Sequence, residues 1–289
     1  MASPFELRLN LFGHGWVALP PHRFDEANGA LHTVLRLDGA VFDAVLTQAA
    51  PTQLELRLDG QRRATTTQRR NAVAQVRHAL RLDDDLAAFH ALCATTPRLA
   101  WAARRGAGRL LRSPTVIEDL LKLLFTTNTT WAGTVAMVTK LVTALGEPAP
   151  SGARAFPTAA QCVQPVGFYR DTVRAGYRAE AAVALAQAFA SGELDDATFL
   201  RTQPAAELWQ RLLSLRGFGP YAAGQEMRLL GHYEQLALDS WCRARLAAMA
   251  KRRTPPSDAA IARRYAPFAP FQGLAMWLEL TADWHGEGG

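Results

Sequence analysis

Two glycines and an aspartate in the last quarter of the chain are the residues whose types and spacing could support chemistry. Residues 215–221 read LRGFGPY, so Gly217 and Gly219 stand two apart between two predicted helices, and Asp239 follows at the predicted start of the next helix. Glycines permit a sharp turn and leave unpaired amide N–H groups at a helix N-terminus, where the dipole favours negative charge. Such a hairpin can bind a nucleic-acid phosphate through its backbone. A Gly-x-Gly pair is also a common tight connector, so this spacing alone leaves both interpretations open.

The overall composition is that of a folded protein with a preference for polyanions. The chain has 289 residues, of which 49% are hydrophobic and 20% charged, enough for one large domain or two to three small ones. Lysine and arginine number 32 against 26 acidic residues, which gives a net charge of +6 and favours a polyanionic partner. Lysine occurs only at Lys122, Lys140 and Lys251, which limits where an amine nucleophile could lie.

Several protein classes are excluded by the same composition. No stretch approaches the ~20 uncharged apolar residues of a membrane span, and Glu6 and Arg8 argue against a secretory signal. Cys93, Cys162 and Cys242 are too few for a disulfide framework or a four-cysteine metal site. The histidines form no ligand pair at helical spacing. We therefore expect a soluble, cytoplasmic protein with no metal and no cofactor.

The elements that must position the hairpin change character near residue 83. Short, partly alternating apolar segments interrupted by glycine and proline predict antiparallel strands at residues 5–11, 16–19, 31–37, 41–47 and 54–58. Residues 62–70 (RRATTTQRR) are interpreted as a basic turn. From residue 83 onward the apolar period is helical, with predicted helices that include 131–145, 204–214 and 221–230. The predicted fold class is α+β, with an antiparallel β domain over residues 1–82.

The hairpin and the aspartate together resemble the signature of the helix-hairpin-helix superfamily of DNA glycosylases. In that family a Leu-x-Gly-x-Gly hairpin is followed by an apolar segment and an aspartate that starts the next helix. Leu215, Gly217 and Gly219 match the hairpin, and Asp239 follows the apolar residues 236–238. The resemblance implies a DNA glycosylase whose catalytic aspartate is Asp239.

Three further sequence elements resemble those of one branch of this family. That branch has an N-terminal sheet and includes the 3-methyladenine and 8-oxoguanine DNA glycosylases. The three elements are the LDDDL sequence at 82–86, the Phe-Pro-Thr element at 156–158 and the Gly-Tyr-Arg-Ala sequence at 176–179. Their order agrees with the family between about residues 80 and 285. The resemblance implies a two-lobed helical body. Residues 83–115 with 226–289 would form the lobe that carries the catalytic aspartate, and residues 116–225 the lobe that ends in the hairpin.

A carboxylate suits the reaction that this resemblance implies. Hydrolysis of an N-glycosidic bond passes through a sugar with oxocarbenium character, which a nearby carboxylate stabilises while it orients or deprotonates water. Asp239 at a helix start would be held ionised by the helix dipole and the free N–H groups. The alternative is that Asp239 is only a helix N-cap, a common role of aspartate.

Departures from the family pattern narrow the expected activity. Bifunctional members carry a lysine two residues after the second glycine, and Tyr221 occupies that position here. No lysine lies between Lys140 and Lys251, so the resemblance implies a monofunctional hydrolase without strand cleavage. Relatives of endonuclease III carry four cysteines after this segment, whereas this chain has only Cys242 there, which excludes that branch.

Asn128 matches the asparagine that 8-oxoguanine glycosylases insert into the gap left by the extruded base. The resemblance assigns it the role of a wedge that keeps the duplex open. Gly133 stands where the family has a cytosine-reading arginine, which weakens any preference for the opposite base. Residues 126–130 are alternatively no more than a polar helix terminus.

The candidates for a base pocket are mainly aromatic. Tyr221, Trp241 and Trp277 could stack on a damaged purine, above all a cationic alkylated one, and Gln225 could read a base edge. Each aromatic residue could instead belong to the core, and Gln225 could face solvent. Gly217, Gly219 and Tyr221 are the candidates for phosphate binding.

The expected function is therefore a monofunctional DNA glycosylase of base excision repair that hydrolyses the glycosidic bond of an alkylated purine. Its partner would be duplex DNA with a damaged base, and we expect a monomer at the nucleoid. Alternatives are an 8-oxoguanine-type glycosylase, a lyase that uses Lys251 or Lys140, and a non-catalytic protein that binds DNA damage. The sequence does not name the lesion.

Overall fold

The computed structural model describes residues 4–200 and 204–287, which form a four-stranded antiparallel sheet followed by a body of helices. The predicted α+β fold class is confirmed. Residues 1–3, 201–203 and 288–289, which the predicted domains include, lie outside the described residues. Within the described residues no helix has both the length and the apolar character needed to cross a membrane.

The strands of the sheet follow one another in chain order. Each strand pairs antiparallel with the next and is joined to it by a short turn. Three of the predicted strands lie within observed ones, because alternate apolar side chains such as Leu35 and Phe42 are buried on one face. A register shift between Gln48 and Ala50 interrupts the last pairing. The strands are β1 (Arg23–Asp25), β2 (Ala30–Leu37), β3 (Ala40–Ala50) and β4 (Gln53–Gly60).

Two segments predicted as strands are not strands. Residues 5–11 form the short helix α1 (Leu7–Leu11), and residues 16–19 overlap a 3₁₀ turn over Gly15–Ala18. In α1 four of the five side chains are buried, so the segment lacks the one-sided apolar pattern of a surface helix. The side chain of Gln48 holds this segment by accepting a hydrogen bond from the Leu7 amide at 2.7 Å and donating one to the Phe5 carbonyl at 2.9 Å.

The interpretation of residues 62–70 as a turn holds for residues 62–65 but is wrong from Thr66 onward. Thr65 and Gln68 form a capping box that starts α2 (Thr66–Ala79), and this helix lies against the sheet. Ala72 is buried in a small core with apolar residues of β2 and β3. The polar composition of this segment gives no helical pattern of apolar residues. The helix can nevertheless pack on the sheet through Ala72, because the strands supply most of the apolar surface of this small core.

The rest of the chain is helical and shares one large apolar core with the N-terminal segment. The prediction for residues 131–145 coincides with a helix, and the helices on either side of the Gly-x-Gly turn are each within one residue of the prediction. The helices are α3 (Ala87–Ala94), α4 (Ala100–Arg105), α5 (Val116–Leu124), α6 (Trp131–Leu145), α7 (Ala159–Cys162), α8 (Ala179–Ser191), α9 (Asp196–Leu200), α10 (Ala205–Ser214), α11 (Pro220–Leu230), α12 (Ser240–Met249), α13 (Asp258–Tyr265) and α14 (Gln272–Leu280).

The segment before the sheet, residues 12–18, is fixed to the helical body by two indole hydrogen bonds. The Trp16 indole donates to Asp119 of α5 at 2.6 Å, and the Trp277 indole of α14 donates to the Gly13 carbonyl at 2.7 Å. Both bonds are buried, where a lost partner is costly. The N-terminal segment therefore lies against α5 and α14.

Candidate active site

A cavity of about 1020 Å³ lies where the α10–α11 hairpin, the start of α12, α14 and the N-terminal segment meet. All eight residues that the sequence analysis assigned to a site line this cavity, although their roles remain predictions. They are Asn128, Gly217, Gly219, Tyr221, Gln225, Asp239, Trp241 and Trp277.

The two hairpin glycines have different surroundings. Gly217 has φ +84°, and a Cβ atom there would lie 2.9 Å from Leu124 Cδ1 and 3.0 Å from Ala181 Cβ. Both the positive φ and the close packing therefore require glycine at position 217. Gly219 has φ −110°, and no atom lies within 4 Å of a Cβ placed there. The space beside Gly219 at the start of α11 is therefore open, as an anion site at a helix N-terminus requires.

Asp239 is the N-cap of α12 and lines the cavity. Its Oδ1 atom accepts a hydrogen bond from the Cys242 amide at 2.7 Å. Capping and catalysis are thus compatible, since the cap bond uses one carboxylate oxygen. The position of the chain segment that precedes Asp239 depends on Gly224 of α11. A Cβ atom at Gly224 would lie 2.7 Å from Ala237 Cβ, so only glycine lets this segment pack so closely. This close packing holds the segment before Asp239 against α11, beside Tyr221.

Three tryptophans form one wall. The ring centroids of Trp241, Trp277 and Trp284 lie 5.8 Å apart in each pair. Trp277 is 7% exposed, whereas Trp241 and Trp284 are 39% and 41% exposed. Exposed indoles at a cavity are available for stacking on a planar ring. Trp277 accordingly belongs to both the core and the cavity wall, and the alternatives left open for it are not exclusive.

Several lining residues were not singled out from the sequence. His14 and Trp16 of the N-terminal segment, Trp131 at the start of α6, and Trp284 after α14 all face the cavity. The indole of Trp131 lies against Gly15, where a Cβ would come within 2.7 Å of it. Two glycines at residues 13 and 15, next to an aromatic residue, indicate that this segment could pack closely against another part of the chain. The pattern does not indicate which part.

Gln225 faces the cavity and does not face bulk solvent, since it is 3% exposed. Its Oε1 atom accepts a hydrogen bond from Arg228 at 2.9 Å. Arg228 is fully buried on the next turn of α11, and its guanidinium lies 4.9 Å from the Trp277 ring centroid. The amino-acid sequence around Arg228 gives no indication that this arginine is buried.

The ionisable groups around the cavity are perturbed by burial. Burial and, to a smaller extent, the neighbouring charge of Arg228 lower the pKa of His14 to about 3, so the imidazole is neutral near pH 7. Burial also raises the pKa of the Tyr221 hydroxyl, to which the carboxylate of Asp239 contributes. Tyr221 is therefore a neutral phenol beside Asp239.

Asn128 lies on the rim of the cavity in a left-handed conformation, with φ 44°. Its amide donates a hydrogen bond to the Tyr177 hydroxyl at 3.1 Å. The Arg178 guanidinium stacks on the Tyr177 ring at 4.5 Å and donates to the Asn128 carbonyl at 3.1 Å. These contacts hold Asn128 at the mouth of the cavity, and its role as a wedge remains a prediction.

Lys122 and the arginines near the hairpin are paired with carboxylates. In the described part of the chain no lysine lines the cavity. Lys122 is fully buried, and its Nζ atom lies 2.6 Å from Glu118. Around the hairpin and α12 the guanidinium groups pair with carboxylates: Arg216 with Glu180, Arg243 with Asp258 and Arg245 with Asp283.

The amino-acid sequence matches no protein-family model and none of the curated proteins. Solved structures are nevertheless similar over almost the whole chain. A 3-methyladenine DNA glycosylase from Archaeoglobus fulgidus has a TM-score of 0.76 at 16% identity, with 97% of this chain and 96% of that chain covered.

Two further solved structures are similar. An 8-oxoguanine glycosylase/lyase from Clostridium acetobutylicum, bound to double-stranded DNA with cytosine opposite 8-oxoguanine, has a TM-score of 0.73 at 17% identity, with coverage of 98% and 93%. A 3-methyladenine DNA glycosylase from Schizosaccharomyces pombe bound to abasic DNA has a TM-score of 0.55 at 16% identity and covers 71% of this chain and 100% of its own. This chain therefore has the fold of the helix-hairpin-helix DNA glycosylases that carry an N-terminal sheet.

Proposed function

We propose that the protein is a monofunctional DNA glycosylase that extrudes a damaged purine from duplex DNA and hydrolyses its N-glycosidic bond. The observation that carries the proposal is the convergence of Asp239, the hairpin glycines and an aromatic wall on one cavity. A cavity of about 1020 Å³ has room for a purine, its sugar and a water molecule. The fold shared with DNA glycosylases supports the same function.

Asp239 is assigned the role of the catalytic carboxylate. In the proposed reaction the C1′–N9 bond breaks and its electron pair leaves with the base. The carboxylate of Asp239 stabilises the oxocarbenium-like sugar and accepts a proton from the water whose oxygen bonds to C1′. That proton then passes to the departed base where the base leaves as an anion, or to solvent where it leaves as a neutral molecule, and either transfer restores the carboxylate. The cap bond from Cys242 fixes the carboxylate for this step.

The hairpin and Asn128 are assigned to DNA binding. The open amides at Gly219 and the start of α11 would hold a phosphate, and the net charge of +6 would attract the duplex. Asn128 at the cavity mouth would enter the gap left by the extruded base, whose unstacking costs a few kcal/mol. Because phosphate contacts release counterions, affinity should fall steeply as salt rises.

The monofunctional assignment rests on Tyr221. A lyase needs an amine that attacks C1′ and forms a Schiff base, and Tyr221 offers a neutral phenol at that position. Lys122 lies behind Trp16 in a buried ion pair, with its Nζ atom 5.9 Å from the centroid of the indole. We therefore expect no borohydride-trapped adduct with the wild-type protein, and an adduct with Tyr221→Lys.

The aromatic wall supports a purine as the substrate. The sequence ranks alkylated purines first, because an electron-rich pocket suits a cationic ring, and oxidised purines second, because of Asn128. The structural neighbours include glycosylases named for 3-methyladenine and for 8-oxoguanine. Alkylated and oxidised purines differ in charge within DNA. The base of a 7-methylguanine nucleotide is a cation, whereas the base of an 8-oxoguanine nucleotide is neutral.

Base release from duplex oligonucleotides tests the proposal, with wild type compared with Asp239→Asn and Asp239→Ala. Asparagine also caps helices well, so Asp239→Asn should keep α12 and lose about 10²-fold or more in rate, whereas Asp239→Ala loses the cap as well. We expect strand breaks only after hot alkali. Breaks without alkali would indicate a lyase, and tight binding without base release would indicate a non-catalytic damage-binding protein.

A further inference from the structure

Arg228 places a buried positive charge one layer behind the cavity wall. The side chain is fully buried, and its guanidinium donates hydrogen bonds to Gln225 Oε1 at 2.9 Å and to the Leu236 carbonyl at 3.0 Å. Both acceptors are neutral, and Nε has no hydrogen-bond partner in the described part of the chain. Guanidinium groups stay protonated in proteins, so the charge persists although burial lowers the pKa of Arg228.

Two of the ionisable groups near this part of the cavity add little negative charge to offset Arg228. His14 is neutral, since burial lowers its pKa to about 3. Glu226, the residue after Gln225 in α11, is fully buried, and burial raises its pKa well above the usual value, which disfavours its negative charge. The carboxylate of Asp239 acts on Arg228 through space from the start of α12, where a reacting sugar would lie.

Arg228 also fixes the orientation of the Gln225 amide. A guanidinium can only donate hydrogen bonds, so the atom that faces Arg228 is the amide oxygen. The Nε2 amino group then points away from Arg228. The Gln225 side chain is also hydrogen bonded to His14, but Nε2 has two N–H groups, so a donor is left for the cavity that Gln225 lines. The cavity therefore presents a hydrogen-bond donor at this position, which matches a carbonyl oxygen and mismatches an exocyclic amine.

We propose that Arg228 is a specificity-determining residue that makes this pocket select uncharged 6-oxopurines over cationic N-alkylated purines. This inference rests on the proposed glycosylase function and reverses the ranking that the sequence favoured. The Trp277 ring already stacks with one cation, the Arg228 guanidinium, so it offers a second cation little additional attraction. A charged base in the cavity would be repelled by Arg228, while a carbonyl oxygen at position 6 accepts a bond from Gln225 Nε2.

The leaving group gives the charge a second effect. When the C1′–N9 bond of a neutral purine nucleotide breaks, the electron pair stays on N9 and the base leaves as an anion. A cationic base leaves as a neutral molecule. The guanidinium behind the pocket stabilises the first transition state, in which negative charge develops on the base, and gives no such help to the second.

A matched pair of duplexes tests the charge alone. Both carry a 2′-fluorinated sugar, which prevents base release, and their bases have the same shape: cationic 7-methylguanine and neutral 7-methyl-7-deazaguanine. We expect wild type to bind the neutral duplex about tenfold more tightly. Arg228→Met should abolish the difference, whereas Arg228→Lys, which keeps the charge, should retain it. Equal or tighter binding of the cationic duplex by wild type would overturn the inference even if Arg228→Met did not fold.

Single-turnover release of hypoxanthine, 8-oxoguanine and 7-methylguanine provides the second measurement. We expect Arg228→Met to slow release of the two neutral bases by about tenfold or more while 7-methylguanine release stays the same or rises. The two neutral bases distinguish deamination from oxidation as the source of the lesion. Fastest release of 7-methylguanine by wild type would overturn this inference and leave the glycosylase function intact. Release of no base at all would overturn the function itself.

Discussion

Replacement of either hairpin glycine with alanine separates the role of the hairpin in folding from its role in DNA binding. At Gly217 an added Cβ meets Leu124 at 2.9 Å and Ala181 at 3.0 Å, and both neighbours are buried. The φ of +84° costs an L-residue about 1–2 kcal/mol, and overpacking adds about 1–3 kcal/mol. We expect Gly217→Ala to lower the free energy of unfolding by about 2–5 kcal/mol.

At Gly219 the same substitution meets no atom of the protein. The backbone already has φ −110°, which alanine adopts freely, and no atom lies within 4 Å of the added Cβ. The free energy of unfolding should therefore change by less than about 0.5 kcal/mol. The new methyl group would stand where a phosphate must approach the helix N-terminus, so affinity for duplex DNA should fall about tenfold.

Urea denaturation and fluorescence anisotropy with a labelled duplex at two salt concentrations measure both effects. If Gly219→Ala binds the duplex as tightly as wild type, the hairpin is only a helix connector and its assignment to phosphate binding is wrong. If Gly217→Ala is as stable as wild type, the packing argument fails. A loss of DNA binding in Gly217→Ala alone would reflect unfolding, which the denaturation curve would reveal.

Two further substitutions test buried polar groups. Because burial raises the pKa of Glu226 well above 4.5, the folded protein keeps a proton that the unfolded chain releases, so this residue lowers stability as pH rises above about 4.5. Glu226→Gln should become steadily more stable relative to wild type between about pH 5 and pH 8 in urea titrations, and a difference independent of pH would contradict this. Trp16→Phe removes the donor 2.6 Å from Asp119 and should cost about 1–3 kcal/mol, whereas Trp131→Phe at an exposed indole should cost less than about 1 kcal/mol; equal costs would refute the role of that bond.

The parts of the site that follow local rules could be predicted from the sequence. A Gly-x-Gly turn between two helices and an aspartate at the next helix start depend on conformational preferences of neighbouring residues, so Gly217, Gly219 and Asp239 could be placed on their elements. Tyr221 could be placed with them because it lies on the first turn of α11. These four residues line the same cavity.

The N-terminal region was harder to predict because its elements depend on distant partners. α1 is buried on most sides and held by Gln48, which lies 41 residues from Leu7. Ala72 and Val76 of α2 pack in the small core with the sheet, whereas Val73 is exposed, so the helix shows little amphipathic pattern of its own. Residue pattern alone could not assign either segment, because long-range packing supplied the missing apolar surface.

The hairpin, the N-cap aspartate and the absence of a lysine two residues after the second glycine depend on residue type and short spacing, so they can be recognised in the amino-acid sequence. Which side chains line the cavity depends instead on contacts between distant parts of the chain. Trp277 and Gly13 are hydrogen bonded across 264 residues, and this contact brings the N-terminal segment against α14. Likewise, Arg228 looks like an ordinary helix arginine until packing buries it behind Trp277. Burial, and with it the charge and the donor groups of the pocket, is set by long-range packing that local sequence preferences do not contain.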